Sequence, residues 1–207
     1  MKRSWYDRHV LPYAIDLACG MKDVRRQREQ VVPLARGRVL EIGIGTGLNL
    51  MHYDESQVEE IVGLDPALEM HRLAKKRLQR TGLKLSLVDL SAERIPFDDA
   101  AFDTVLMTYT LCSIPDPVSA LKEMRRVLKP GAKLIFCEHG ASPDASVRRW
   151  QDRLTPLWSK IAGGCRLDRD VPALLKEAGL ASSDLETTYL PGPRPVTYHY
   201  RGTASAV

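Results

Sequence analysis

The run Gly37 to Gly47, GRVLEIGIGTG, constrains the fold of this chain more than any other stretch. A short apolar segment carries an acidic residue, Glu41, near its end and passes directly into a loop in which Gly43, Gly45 and Gly47 alternate with other residues. Glycines at such positions let the backbone turn tightly and approach a ligand without side-chain interference. Glu41 adds an anionic hydrogen-bond acceptor. A strand feeding such a loop opens a βαβ unit that holds a nucleotide-like ligand beyond the strand's carboxyl end. The loop alone does not separate a dinucleotide enzyme from one that uses a nucleoside cofactor.

The rest of the chain continues the alternation. Strands are predicted over residues 38–42, 61–65, 84–88, 104–108 and 133–137, with helices over 67–80 and 117–128; Pro66 and Pro117 suit helix starts, and Lys129-Pro130-Gly131 a stop. Residues 43 to 65 are about the length of a loop, a first helix and a second strand. A helix capped by Asp168 follows, then strands over 184–190 and 196–200, separated by PGPRP, a turn suited to an antiparallel return at the sheet edge. The expected fold is α/β: a Rossmann-like, seven-stranded, mostly parallel sheet with helices on both faces and an antiparallel last strand. Residues 1–36 read as two helices forming a lid or brace, and 140–167 as an insertion over the active face, with an amphipathic Trp-bearing segment and a flexible Gly163-Gly164 pair.

At 207 residues one domain is the economical reading. A net charge of +4 is too mild to indicate nucleic acid, and the basic groups at 22–28, 72–80 and 148–153 read as solvated helix faces or, less simply, as contacts for an anionic membrane. Cys19, Cys112, Cys137 and Cys165 are far apart and form no CxxC pair, so spacing supports neither a metal site nor a disulfide framework. No apolar run reaches the length of a membrane span, and the default location is cytoplasmic. Oligomeric state is not fixed.

Asp65 lies where an acidic side chain accepts hydrogen bonds from both hydroxyls of a bound ribose, although a capping role before Pro66 fits the same residue. Together with VLEIGIGTG at 39–47, GLDP at 63–66, AERIPFDDAAFD at 92–103 and RRVLKPGAKLIFCEH at 125–139, it makes the chain resemble the class I S-adenosylmethionine-dependent methyltransferases of the ubiquinone/menaquinone type. The resemblance implies S-adenosyl-L-methionine as cofactor, no metal and a small-molecule methyl acceptor. It implies that Glu41, Gly43, Gly45, Gly47 and Asn49 lie beside the amino-acid portion of the cofactor. Asp65 would hold the ribose, and Pro66 with Ser91, Ala92 and Glu93 would border the adenine. Thr108 and Leu111 would lie near the methionine portion. Relatives often have Asp where Ser91 stands, so this chain offers the adenine a weaker, neutral acceptor.

A narrower resemblance, in TLCSIPDP at 110–117, CEH at 137–139 and the stretch from Trp150 to Asp170, is to animal methyltransferase-like proteins that methylate alkyl thiols. Those relatives carry a hydrophobic N-terminal anchor that this sequence lacks, which suggests a soluble, bacterial-type cousin. The resemblance implies an acceptor wall of Trp150, Trp158 and Cys165, with Arg166 or Arg169 attracting an acidic substituent or closing onto the domain. His139, at the ligand-binding edge, suits a general base, a substrate-orienting group or a structural hydrogen bond. Tyr6, Tyr13 and Tyr109 are candidates for the mouth of the site or for aromatic anchors. A thiol heads the list of acceptors, followed by a quinone-like phenol and an amine-bearing lipid headgroup. A cofactor-binding scaffold without turnover is the alternative of another class.

Overall fold

The computed structural model describes residues 5–207. Three short helices, α1 (Trp5–His9), α2 (Leu11–Cys19) and α3 (Lys22–Val31), precede the sheet, and a 3-10 turn (Val32–Leu34) leads into it. Pro12 near the start of α2 has no amide to leave unpaired, which suits a first helical turn. Strands β1 (Gly37–Ile42), β2 (Val58–Leu64), β3 (Leu85–Val88) and β4 (Phe102–Thr108) alternate with α4 (Leu68–Leu78) and α5 (Pro117–Val127). Then come β5 (Leu128–His139), α6 (Ala145–Ile161), α7 (Val171–Glu177), β6 (Leu180–Tyr189) and β7 (Tyr198–Ala206).

The seven strands lie in the order β3-β2-β1-β4-β5-β7-β6. Strands β1 to β5 pair in parallel, and β7 runs antiparallel to both neighbours. The chain direction reverses its lateral progress between β1 and β4, the place where open α/β sheets leave a crevice outside the carboxyl ends of the strands. Apolar side chains fill both faces. Leu40, Ile42, Val105, Met107, Leu134 and Phe136 belong to one cluster, covered by α5 and α7; Val39, Ile61, Leu106, Ile135 and Cys137 belong to the other, beside Val31 and Val32 of the N-terminal segment. Strands buried on both faces read as nearly continuous apolar runs, which is why 38–42 and 133–137 stand out in sequence.

Four local expectations are corrected. Between the glycine loop and β2 there is no α-helix, only a 3-10 turn, Leu48–Met51; among the described residues the first α-helix of the alternation is α4. The returning strand does not close the edge, because β7 slides between β5 and β6 and leaves β6 outermost. The segment Lys129-Pro130-Gly131 does not end a helix before a separate strand: Leu128 already pairs with Phe102, and a register shift absorbs the irregular backbone within β5. Asp170, not Asp168, caps α7, accepting from the Ala173 amide at 3.1 Å.

Candidate active site

Strand β1 delivers Glu41 and then the glycine loop. Gly43, Gly45 and Gly47 all have φ between 52° and 77°, a backbone region that L side chains rarely adopt. A Cβ on Gly43 would collide with the Thr110 side chain, whereas one on Gly45 would meet nothing nearer than Met70 Sδ at 3.6 Å. The loop therefore packs against the end of β4 on one side and leaves room over Gly45 on the other. Asp65, just past β2, holds this shape: Oδ2 accepts from the Gly45 amide at 2.8 Å and Oδ1 from the Ala67 amide at 2.7 Å. Pro66 beside it is exposed.

Glu41 is enclosed. Its carboxylate accepts from Asn49 Nδ2 at 2.9 Å and from the Tyr53 hydroxyl at 2.7 Å, and Asn49 Nδ2 also donates to Thr108 Oγ1 at 2.9 Å. Burial pushes the Glu41 carboxyl up to about 7 against the opposing pull of these two hydrogen bonds. Tyr53 went unrecognised in sequence, since nothing in a tyrosine twelve residues after a glutamate signals that the chain folds back on it. Leu111 is fully buried in the core, and its amide, like that of Thr110, donates to Glu138 Oε1. Ser91 donates its hydroxyl to Glu93, Glu93 accepts from the Asp116 amide at 3.3 Å, and Ala92 is buried.

The N-terminal helices cover the loop from outside. Thr46 Oγ1 donates to Asp16 Oδ1 at 2.5 Å, and Arg77 of α4 bonds both Asp16 Oδ2, at 3.0 Å, and the Thr46 carbonyl, at 2.7 Å. Helix α2 is thereby tied to the glycine loop and to α4 at once. Arg28 of α3, only 4% exposed, donates to the Cys19 carbonyl and lays its guanidinium over the Tyr109 ring at 4.6 Å. A hollow of about 460 Å³ opens between α2, α3 and the Leu48–Met51 turn, lined by Asp16, Cys19, Arg28 and His52 among others, but none of the three loop glycines borders it.

Beyond the carboxyl ends of β4 and β5 lies a second group. Cys112, His139 and Cys165 bring Sγ, a ring nitrogen and Sγ within 4.8 Å of one another. Cys165 Sγ is 3.2 Å from His139 Nε2, and Trp158 Nε1 donates to the same sulfur at 3.3 Å. Hydrogen bonds from Cys112 and His139 hold the Cys165 thiol well below the usual range against its burial, while the bond to Cys165 and burial push Cys112 up. Burial alone would lower His139, yet its bond to Cys165 and the adjacent negative charge raise it. Glu138, fully buried, is pushed up to about 7 by desolvation. His199 is held down at about 4 by burial, with Nδ1 2.8 Å from the Thr197 carbonyl and its ring 6.5 Å from that of His139.

The remaining sequence candidates divide. Trp158 and Cys165 touch, whereas Trp150 points away, 56% exposed, with Arg153 over its ring. Arg169 donates to the Ile114 carbonyl at 2.8 Å, and its Nε is buried without a partner. Tyr109 directs its hydroxyl inward to Cys137 Sγ at 3.4 Å rather than to a mouth. The Tyr6 hydroxyl donates to the Ile161 carbonyl, joining α1 to α6, and the Tyr13 hydroxyl accepts from Arg72 on α4. Cysteine spacing gave no hint of the Cys112–His139–Cys165 group, because its members come from three separate segments.

A family model described as a methyltransferase domain matches residues 40–136. The thiol S-methyltransferase TMT1B of Rattus norvegicus is 31% identical over 91% of this chain and 76% of its own, and that of Homo sapiens 34% identical over 82% and 72%. Among solved structures, a SAM-dependent methyltransferase from Aquifex aeolicus superposes with a TM-score of 0.62 at 20% identity, covering 95% of this chain and 98% of that one. The open backbone over Gly45, the Asp65 carboxylate at the end of β2 and the polar group around Glu41 fit S-adenosylmethionine, the cofactor of this family. The chain belongs to the S-adenosylmethionine-dependent methyltransferases, in the branch that methylates small molecules.

Proposed function

We propose that the methyl acceptor is a thiol, bound between the glycine loop and the Cys165–His139 pair. The observation that carries this reading is that pair, half-buried beyond the carboxyl end of β5 and held at 3.2 Å. S-adenosylmethionine supplies an electrophilic methyl group on a sulfonium sulfur. The acceptor must therefore arrive as its conjugate base, and a free thiol with a pKa of about 8.5 is mostly protonated at neutral pH. His139, made more basic by Cys165, places a positive imidazolium beside the acceptor and favours the thiolate, whose proton leaves to solvent. Its role is electrostatic positioning. The identity to thiol S-methyltransferases of rat and human supports the same acceptor class.

In this reading Gly43, Gly45, Gly47 and Asn49 border the amino-acid portion of the cofactor, with Glu41 buttressing Asn49. Asp65 faces the ribose, while Pro66, Ser91, Ala92 and Glu93 border the adenine; Thr108 and the Leu111 backbone close the methionine end. Trp158 walls the acceptor pocket, Arg169 borders it, and residues 5–36 form its lid, with Tyr6 and Tyr13 as latches; residues 1–4 of the expected 1–36 lid lie outside the described residues. A reducing, cytoplasmic setting suits the four free thiols. The test is methyl transfer from labelled cofactor to a panel of alkyl thiols, phenols and amines. Thiol products alone support the reading, and phenol or amine products alone overturn it.

A second reading, in which a hydrophobic acceptor is taken from a membrane surface, is favoured by Trp150, Leu154, Leu157 and Ile161. They recur at helical spacing on α6 and are all exposed, with Arg149, Arg153 and Lys160 nearby. No helix among the described residues is long and apolar enough to cross a membrane. Cosedimentation with anionic vesicles, lost when Leu157 and Ile161 are changed to Gln, would support surface contact; no cosedimentation would refute it.

A further inference from the structure

We propose that Cys112, Cys165 and His139 form a binding site for a thiophilic divalent cation of the zinc class, whose open position takes the sulfur of the acceptor. The second half rests on the thiol reading above; the first does not. Two sulfurs and an imidazole nitrogen are the donors such a cation prefers, and three protein ligands with one position free is the arrangement of a zinc site that binds substrate. A tetrahedral ion with bonds of about 2.0–2.3 Å spaces its donors by roughly 3.5–3.8 Å. The donors here already lie within 4.8 Å of one another, with 3.2 Å between Cys165 Sγ and His139 Nε2. Changes in spacing of at most about 1.3 Å complete the set.

The site is built from three elements that backbone bonds hold in register. Cys112 follows β4, His139 ends β5 and Cys165 follows α6. The Arg166 amide donates to the Cys112 carbonyl at 2.9 Å, tying the two cysteine segments directly. Glu138 Oε1 accepts from the Thr110 and Leu111 amides, fixing the loop that presents Cys112 beside the strand that presents His139. The Trp158 Nε1 hydrogen bond to Cys165 Sγ is the kind of outer contact that orients a ligand sulfur. Glu138 is wholly buried, and its second oxygen, Oε2, has no hydrogen-bond partner. Cys112 is buried, while His139 and Cys165 are partly exposed, so a cation and an acceptor have a route in.

Binding is a ligand exchange with no redox change. The cation displaces to solvent the protons that the two cysteines and His139 hold, and with the neutral ring as ligand the charge of the ion takes the place of the imidazolium. An acceptor thiol then joins the open position as a thiolate, releasing its own proton. The full chain, chelator-treated and kept reduced, is titrated with cobalt(II) as a spectroscopic substitute for zinc. The proposal expects one equivalent bound, a sulfur-to-cobalt charge-transfer band and intense tetrahedral d–d bands. Cys112→Ser, Cys165→Ser and His139→Ala each weaken binding at least tenfold, while Cys19→Ser leaves it unchanged; circular dichroism confirms that each variant is folded. No charge-transfer band in the wild type, or an unchanged band in the folded Cys112→Ser/Cys165→Ser double variant, overturns the site. Adding ethanethiol shifts the cobalt bands if the acceptor joins the ion. Unshifted bands overturn that half alone, and thiol methylation on the same sample, measured separately, reports whether the thiol reading itself has failed.

Discussion

Glu41 shows how a buried carboxylate makes stability depend on pH. Its carboxyl sits at about 7 in the fold against 4.5 for an ordinary glutamate, because burial disfavours the charged form more than Asn49 and Tyr53 favour it. A raised folded value means that the contribution to stability is fully present below 4.5 and is lost as pH rises through about 7. Glu41→Gln cannot ionise. Denaturant unfolding of the ligand-free protein should therefore show the variant gaining on the wild type between pH 5 and pH 8, by on the order of 3 kcal/mol. The same change loosens Asn49, and calorimetry should find S-adenosylmethionine bound about tenfold more weakly, roughly 1.4 kcal/mol. Gly43→Ala tests the loop itself: with φ at +66° and Thr110 in the way of a Cβ, it should cost more than about 1 kcal/mol in thermal unfolding and also weaken the cofactor.

Among the elements, α2 has a small core of its own and specific tethers. Leu11 and Pro12 are its buried residues, and Asp16 bonds Thr46 and Arg77, Tyr13 accepts from Arg72 and the Cys19 carbonyl accepts from Arg28. Both side chains of the Asp16–Arg77 pair are about a quarter exposed, at 25% and 24%, so the pair's share of global stability is small, under about 1 kcal/mol. Its effect is local. Arg77→Ala should leave the melting temperature nearly unchanged while amide exchange over Leu11–Cys19 accelerates and trypsin cuts the segment at Lys22 and Arg25 sooner. Saturating S-adenosylmethionine should restore protection if α2 closes over the cofactor, and should leave exchange fast if it does not.

For the molecule as a whole, the sheet order decides which residues meet. Gly140 follows His139 at the crossing of β5 with the segment before α7, and a Cβ there would strike the Arg169 carbonyl, which accepts from the Ala141 amide at 2.7 Å. Gly140→Ala should force these two segments apart, raising the acceptor KM several-fold, while calorimetry finds cofactor affinity unchanged because the glycine loop lies across β1 and β4. The parallel sheet and the position of the cofactor loop were legible in sequence: apolar runs buried on both faces, a glycine loop at the end of the first and an acidic residue at the end of the second are local patterns with local causes. The order of the last two strands was not legible, since β6 and β7 each read only as an edge-like strand and the choice between them depends on pairing with β5. Nor was the 3-10 turn after the glycine loop, where tertiary contacts of Leu50 and Tyr53 override a helical expectation. By itself the sequence determined a glycine loop and an acidic residue at neighbouring strand ends, because one strand, one loop and one carboxylate close in the chain suffice to build that arrangement. Only the tertiary structure brought Cys112, His139 and Cys165 together, because their proximity depends on β4, β5 and the turn after α6 converging at one edge of the sheet.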